Sequence, residues 1–480
     1  MPSIERPSLH FTAPRGWIND PNGTLWADGQ YHLFYQHDPD DIVCRAQHWG
    51  HAVSADLLRW EHLPVALCPD ELGMIWSGSA VHDRGNTSGL GSPDHDPMVA
   101  VFTHHGPDGA ERQSVAGSVD GGSTFTKYPG NPVLSEPGRR GWSDAAHPAR
   151  PCNQDFRDPW AFRLEELGLW ALAVASGDRV RFYHSEDLVH WRNVGEFGPV
   201  ASLGDAVWEC PSLFRLPLGS GFRWVFSLST TGGGPGGAPG MFYFVGEFDG
   251  SRFTPEAGPL PVDHGRDFYA AIPFQDAPQP VWIGWQMCWH YATATPAQGW
   301  RAMMSLPRSL SLVDDGDGPR LCQLPCETFA ALPRAAVLGV RGMALHRDRT
   351  LQYSSCGDLF EVLAELEPGE GALELELFGS LRLTVDAGAL QATVERLAGA
   401  NDCQHPAFTE ALTAPLQAGV PLTLHVVADA NAVEVFLQDG RAVLSALTYP
   451  LGTGRGVSLR ALREPCSLKH FAINRIQSHM

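Results

Sequence analysis

Along most of this chain apolar and polar residues alternate in short runs, and the roughly 3.6-residue spacing of an amphipathic helix is scarce. Tyr31-His32-Leu33-Phe34-Tyr35-Gln36, Val180-Arg181-Phe182-Tyr183, Trp224-Val225-Phe226-Ser227-Leu228, Met241-Phe242-Tyr243-Phe244-Val245 and Val281-Trp282-Ile283-Gly284-Trp285 have the length and the β-branched and aromatic content of strands. Gly/Pro-rich turns separate them, most densely at Gly232-Gly233-Gly234-Pro235-Gly236-Gly237. The pattern predicts an all-β protein.

A degenerate repeat orders these strands. Ser54-Ala55-Asp56-Leu57-Leu58-Arg59-Trp60 returns as Ser185-Glu186-Asp187-Leu188-Val189-His190-Trp191, with looser copies ending at Phe125 and Phe253. The closing aromatics Trp60, Phe125, Trp191 and Phe253 lie 65, 66 and 62 residues apart, and one more interval reaches Leu310-Ser311-Leu312. A period of this size, with several strands per unit, predicts a five-bladed β-propeller.

Beyond Leu312 the texture changes to clean alternation, as in Leu373-Glu374-Leu375-Glu376-Leu377, Leu381-Arg382-Leu383-Thr384-Val385 and Val433-Glu434-Val435-Phe436-Leu437. One apolar and one polar face per strand predicts an antiparallel β-sandwich. The expected organisation is a catalytic propeller over 1–325, a linker over 326–340 and a C-terminal β-sandwich over 341–480.

Composition narrows the function. With 480 residues, two domains are expected. A formal net charge of −20 and only two lysines among 34 basic residues leave no basic patch for nucleic acid. No apolar run approaches the roughly 18–20 residues that cross a bilayer, so no membrane partner is expected. Met1-Pro2-Ser3-Ile4-Glu5-Arg6 is not a basic-then-apolar leader, and the ten cysteines are scattered. Free thiols in a cytoplasmic protein are therefore expected, or a secreted protein if a leader has been removed. The scattered cysteines make a zinc site unexpected, and no metal is predicted. The 15 tryptophans could pack against sugar rings, and a homodimer through the sandwich is a further expectation.

Three acid-bearing motifs fall at nearly the same phase of the repeat. Asp20 precedes its closing aromatic by 40 residues, Asp158 by 33 and Glu209 by 44. Equivalent blade positions face a shared axis, so the three carboxyls should converge there. Trp76-Ser77-Gly78-Ser79 and Asp267 fall close to the same phase. Taken singly, Asp-Pro-Asn-Gly would be an ordinary turn and Arg157-Asp158 an ordinary ion pair.

Such a set suits glycoside cleavage, which needs a proton donor for the leaving oxygen and a carboxylate facing the anomeric carbon. Arg157 is expected to keep Asp158 ionised. Glu209, between Trp208 and Cys210-Pro211, is expected to be desolvated and so suited to a general acid.

In these residues the chain resembles the glycoside hydrolase family 32 β-fructosidases: the invertases, exo-inulinases and levanases. The resemblance lies in Trp17-Ile18-Asn19-Asp20-Pro21-Asn22-Gly23, Leu33-Phe34-Tyr35-Gln36, Trp49-Gly50-His51-Ala52, Trp76-Ser77-Gly78-Ser79, Phe156-Arg157-Asp158-Pro159, Glu209-Cys210-Pro211 and Asp267-Phe268-Tyr269-Ala270. It implies retaining, exo-acting hydrolysis of terminal β-D-fructofuranosyl units of sucrose, fructo-oligosaccharides or fructans. Asp20 would be the nucleophile, Glu209 the acid/base and Asp158 the transition-state stabiliser. Asn19, Gln36, Trp49, Trp76, Ser77, Arg157, Asp267 and Trp289 would bind substrate, and no metal or cofactor is implied. The chain departs from the pattern at Cys44, where many members carry a rim Trp, and at Ser212, where Asp often follows Glu-Cys-Pro. Two other readings use the same residues: a fructosyltransferase, and a catalytically silent fructan-binding lectin.

Overall fold

The computed structural model describes residues 5–135, 155–314, 316–403, 405–452 and 454–478; the first four residues of the N-terminal stretch read above lie outside these. Five antiparallel sheets come first. Blade I holds Gly16–Ala27, Gln30–Asp38, His48–Ser54 and Glu61–Leu67, and blade II holds Met74–His82, Met98–His105 and Glu111–Ser118 with two short outer strands. Blade III holds Phe156–Leu164, Leu169–Ser176, Val180–Ser185 and Arg192–Phe197. Blade IV runs from Trp208–Leu218 through Gly221–Thr230 and Gly240–Phe248 to Phe253–Pro261. Blade V holds Tyr269–Pro273, Val281–Trp285, Arg308–Asp314 and Pro319–Pro325.

The first strands of the five sheets touch one another in a closed ring, each against the next and the fifth against the first. This is the expected five-bladed propeller. Trp300–Arg301, from the blade V connection, adds a parallel strand beside Gly16–Trp17 and ties the end of the ring to its beginning.

The sequence repeat is the hairpin that leads into each outer strand. In blade I the Asp56 carboxylate accepts the backbone N–H groups of Leu58 and Arg59, and in blade III Asp187 does the same for Val189 and His190. An Asp two residues into a turn satisfies otherwise unpaired backbone donors, which is why it recurs. At the last interval the structure differs: Leu310-Ser311-Leu312 lies within the third strand of blade V, not in the hairpin after it.

Two six-stranded antiparallel sheets follow and form the sandwich. Leu373, Leu375, Leu377, Leu381, Leu383 and Val385 all point into its core, while the residues between them are more open or ion-paired. Each such side chain stabilises the fold by roughly 1.5–3 kcal/mol relative to exposure. Within the stretch read as a linker, Glu327–Ala331 is a short helix and Arg334 already begins a sandwich strand.

Buried charge joins the two parts. The Arg308 guanidinium, from blade V, donates to Glu434 at 2.8 Å and to Ser445 at 2.6 Å, both on the sandwich, and to Asp263 at 3.1 Å. His10 bridges Asp429 and Glu434 at 2.9 and 3.0 Å. Arg396, from the sandwich, pairs with Asp267 at the foot of blade V. All these side chains are almost completely shielded from solvent.

Candidate active site

Each innermost strand carries a register break near its start, at the axial end of its blade. The breaks lie between Ile18 and Pro21, Trp76 and Gly78, Arg157 and Trp160, Glu209 and Ser212, and Tyr269 and Ile272. The residues skipped by the ladder include Asn19, Asp20, Ser77, Asp158 and Cys210. A bulge re-aims a side chain that regular pleating would send to a sheet face. Asp158 (φ 62°), Cys210 (φ 46°) and Ala270 (φ 54°) adopt left-handed backbone there, a strained state for non-glycine residues that must be held by its surroundings. Pro159 and Pro211 fit inside the breaks because no ladder donor is needed at those positions.

The bulges gather the carboxyls. Ser77 Oγ donates to Asp20 Oδ2 at 2.7 Å. The Cys210 backbone N–H donates to Asp158 Oδ2 at 2.8 Å, and the Cys210 sulfur lies 3.7 Å from Asp20 Oδ2 and 3.5 Å from Asp158 Oδ2. One atom therefore touches both aspartates. Glu209 comes from the residue before. Its Oε1 accepts from Arg157 Nε and Nη2 at 3.2 and 3.0 Å, and its Oε2 accepts from the Tyr269 hydroxyl. Asp20 and Asp158 are buried, whereas the Glu209 side chain is 20% exposed and is the most open of the three.

Burial pushes the Asp20 carboxyl up to about 6, helped by the Glu209 charge and opposed by bonds from Ser77, Asn19 and Cys210. Asp158 is pushed up to about 8: burial dominates, Arg157 opposes it, and the charges of Glu209 and Asp20 add to it. Burial and the same carboxylates raise the Cys210 thiol, so it stays protonated and can donate. This corrects the expected division of labour. The Arg157 guanidinium does not hydrogen-bond the Asp158 carboxylate; it grips Glu209, Glu111 and Asp155. Desolvation falls on the two aspartates, and Glu209 keeps access to solvent.

The other expected residues are distributed as follows. Asn19 sits beside Asp20, its Oδ1 accepting from Trp17 Nε1 at 2.8 Å and Gln47 Nε2 at 2.7 Å. Gln36 Nε2 and Asp20 Oδ1 are among the buried side-chain atoms without a protein partner in the described residues. Trp76 stacks on His105 with ring centres 4.1 Å apart, and Arg157 lies over its ring at 5.9 Å. Trp289 is exposed and packs against Trp17 and Trp285 at 5.9 and 4.7 Å.

Two residues are set back from the trio. Trp49 is fully buried, and its indole N–H donates to the Trp76 carbonyl at 3.0 Å, so it supports the strand that carries Trp76 and Ser77. Asp267 is fully buried and engaged by Arg396, the Tyr291 hydroxyl at 2.6 Å and the Leu447 N–H at 2.7 Å. Of the departures, Cys44 contacts Gln47 Nε2 at 2.8 Å, which places it near Asn19, while Ser212 pairs with Ser227 at 2.6 Å inside blade IV.

Sequence reasoning passed over Tyr269, Cys210, Glu111, Gln47 and Thr103, whose hydroxyl accepts the Asp158 N–H at 3.0 Å. Tyr269 and Cys210 stood inside motifs already singled out. Glu111, Gln47 and Thr103 carried no local signal.

Comparison with known proteins agrees with this geometry. The family descriptions "Glycosyl hydrolases family 32 N-terminal domain" and "Glycosyl hydrolases family 32 C terminal" match residues 10–325 and 344–474. The chain is 38% identical to a levanase of Bacillus subtilis (strain 168), over 98% of this chain and 70% of that protein. It is 34% identical to an extracellular exo-inulinase of Aspergillus ficuum, over 93% and 89% of the two chains. The crystal structure of an exo-inulinase from Aspergillus awamori superposes with a TM-score of 0.89 at 31% identity, over 99% of both chains. A β-fructofuranosidase from Schwanniomyces occidentalis complexed with fructosyl-erythritol superposes at 0.85, with 26% identity over 99% of this chain and 98% of that one. Motif order, propeller, sandwich and converging carboxyls lead to one conclusion: this chain belongs to glycosyl hydrolases family 32.

Proposed function

We propose that this protein is a retaining, exo-acting β-fructofuranosidase that removes terminal β-D-fructosyl units from sucrose, fructo-oligosaccharides or fructans. The observation that carries the reading is the convergence at Cys210, whose sulfur touches Asp20 and Asp158 while the neighbouring Glu209 is steered by Arg157 and Tyr269. The relatives named levanase, exo-inulinase and β-fructofuranosidase support the substrate class.

In this mechanism Asp20 Oδ2 is held by Ser77 and Cys210, leaving Oδ1 to attack the anomeric carbon. Glu209 gives its proton to the departing oxygen, and an ester forms between Asp20 and the fructosyl unit. The resulting Glu209 carboxylate takes a proton from water, which attacks the same carbon and frees Asp20. Asp158 is placed to bond fructosyl hydroxyls as positive charge develops on the ring. Asn19, Gln36, Trp76, Ser77, Arg157 and Trp289 surround the sugar, with Trp49 and Asp267 as supports behind them.

The nine described cysteines are all free thiols, which supports the expected cytoplasmic setting, whereas a relative such as the Aspergillus ficuum enzyme is described as extracellular. Fractionation of producing cells with assay of both sides decides between the two. Light scattering on the purified protein reads the homodimer expected through the sandwich.

The central test is a panel of sucrose, kestose, inulin and levan with initial rates. Free fructose is expected from at least one of them, and Glu209→Gln is expected to lower its release about 10³-fold while substrate binding persists. Undiminished turnover by Glu209→Gln would remove Glu209 from its role. Chain elongation as the dominant outcome at high sucrose would make the protein a transferase, and binding without turnover a lectin.

A further inference from the structure

Arg157 poses an electrostatic problem. Its Nε and Nη2 both lie on Glu209 Oε1, and a guanidinium in that position favours the carboxylate anion. A general acid must hold its proton until the leaving oxygen takes it. The structure offers a counterweight on the far side of the same guanidinium. Glu111, at the start of the third strand of blade II, receives Arg157 Nη1 on both its oxygens at 3.0 and 3.1 Å, and Asp155 receives the same nitrogen at 2.8 Å. Glu111 is buried, and it is fixed by the Phe156 backbone N–H, which donates to Oε2 at 2.6 Å. His105 Nδ1 stands 3.9 Å from its Oε1.

We propose that Glu111 is a positioning residue that offsets the charge of Arg157, so that Arg157 orients Glu209 without stripping it of the proton it must donate. This rests on the acid/base role given to Glu209 above. The groups facing Glu209 are Arg157 and Asp158 from blade III, Tyr269 from blade V, Asp20 from blade I and Cys210 on its own strand. Those facing Glu111 are Arg157, Asp155 and His105. Removing the Glu111 charge leaves Arg157 less neutralised. Every carboxyl near Arg157 then loses its proton more easily, and Glu209 is among those in direct contact with it.

The test is the pH dependence of kcat/KM on sucrose for wild type, Glu111→Gln and Glu111→Asp. Glu111→Gln is expected to move the alkaline limb to lower pH by about one unit, and Glu111→Asp to restore it in large part. An aryl β-fructofuranoside, whose leaving group needs little protonation, provides a second readout. On the alkaline side, the ratio of aryl-fructoside to sucrose turnover should rise about tenfold in Glu111→Gln. An unchanged alkaline limb, or equal losses on the two substrates, would overturn the proposal. Should Glu111→Gln not fold, Asp155→Asn carries the same test with the same direction of shift. Glu209→Gln run in parallel separates the two failures. If it is inactive on sucrose and Glu111→Gln leaves the limb in place, only this inference falls. If Glu209→Gln retains full activity, the function proposed above falls with it.

Discussion

At the scale of single residues, the site works by uneven burial. Asp20 and Asp158 are buried where the innermost strands converge and resist ionisation, while Glu209 stays within reach of solvent. Asp20, the proposed nucleophile, must be ionised to attack. With Asp20 raised to about 6, activity is lost as pH falls through that region and is fully present above it. Because the three carboxyls interact, the limb belongs to the group as a whole. Ser77→Ala deletes the 2.7 Å bond that favours the Asp20 anion. The acidic limb of the pH profile of kcat/KM should move upward by about one unit in that variant. A limb that stays in place would mean that Ser77 does not govern Asp20.

These residues were legible in the sequence to different degrees. Asp20, Asp158 and Glu209 could be read because each stands in a composition-rich motif at one phase of a repeat. Glu111 could not. Its partner Arg157 lies 46 residues away on another blade, and nothing in the residues around Glu111 points to a buried cation. The pairing of Arg157 with Asp158 was misread for a related reason. Neighbours in sequence need not be neighbours as side chains: Arg157 holds the last paired position before the break and Asp158 lies inside it with left-handed backbone, so the two reach different partners.

At the scale of elements, the recurring device is an inner strand with a bulge near its axial end. Strand existence and the length of the repeat were readable from hydrophobic alternation. The bulges were not, because these innermost strands are buried on both faces and show little alternation whose phase an inserted residue could shift. Gly78 shows how tightly one of them is built. A Cβ there would come 2.1 Å from the Val101 carbonyl oxygen and 2.7 Å from Phe102 Cα, both backbone atoms that cannot swing aside. Gly78→Ala should therefore force apart the first two strands of blade II, next to Ser77. The expected cost is about 3 kcal/mol in urea unfolding, together with a fall in kcat. A loss below about 0.5 kcal/mol would show that the bulge relaxes easily.

At the scale of the whole molecule, the propeller and the sandwich share buried charge set within a continuous apolar seam that includes Phe11, Tyr291, Phe408 and Phe436. His10 illustrates the consequence for stability. Burial alone would lower its pKa, but the hydrogen bonds and charges of Asp429 and Glu434 overcome this and raise it to about 9. A folded-state value above the unfolded one gives stability that is fully present below about pH 6.5 and is lost as pH rises through 9. The wild type should lose roughly 3 kcal/mol more than His10→Gln between about pH 6 and pH 10, as read by denaturant midpoints. Parallel curves for the two proteins would sink this account. None of this wiring was visible in the sequence, since the partners of His10 lie more than 400 residues away and only the packed interface brings them together.

The Arg396–Asp267 contact bears on how such enzymes can be recombined. Asp267 stands two residues before Tyr269, the residue that holds Glu209, and its charge is neutralised from the other half of the protein. A chimera that grafts a foreign C-terminal half onto this catalytic half would strand an unpaired carboxylate at the base of blade V unless the donor brings its own arginine to that spot. The halves are separate in shape but not interchangeable as parts, and a shuffled library should retain activity only among members that inherit this pair together.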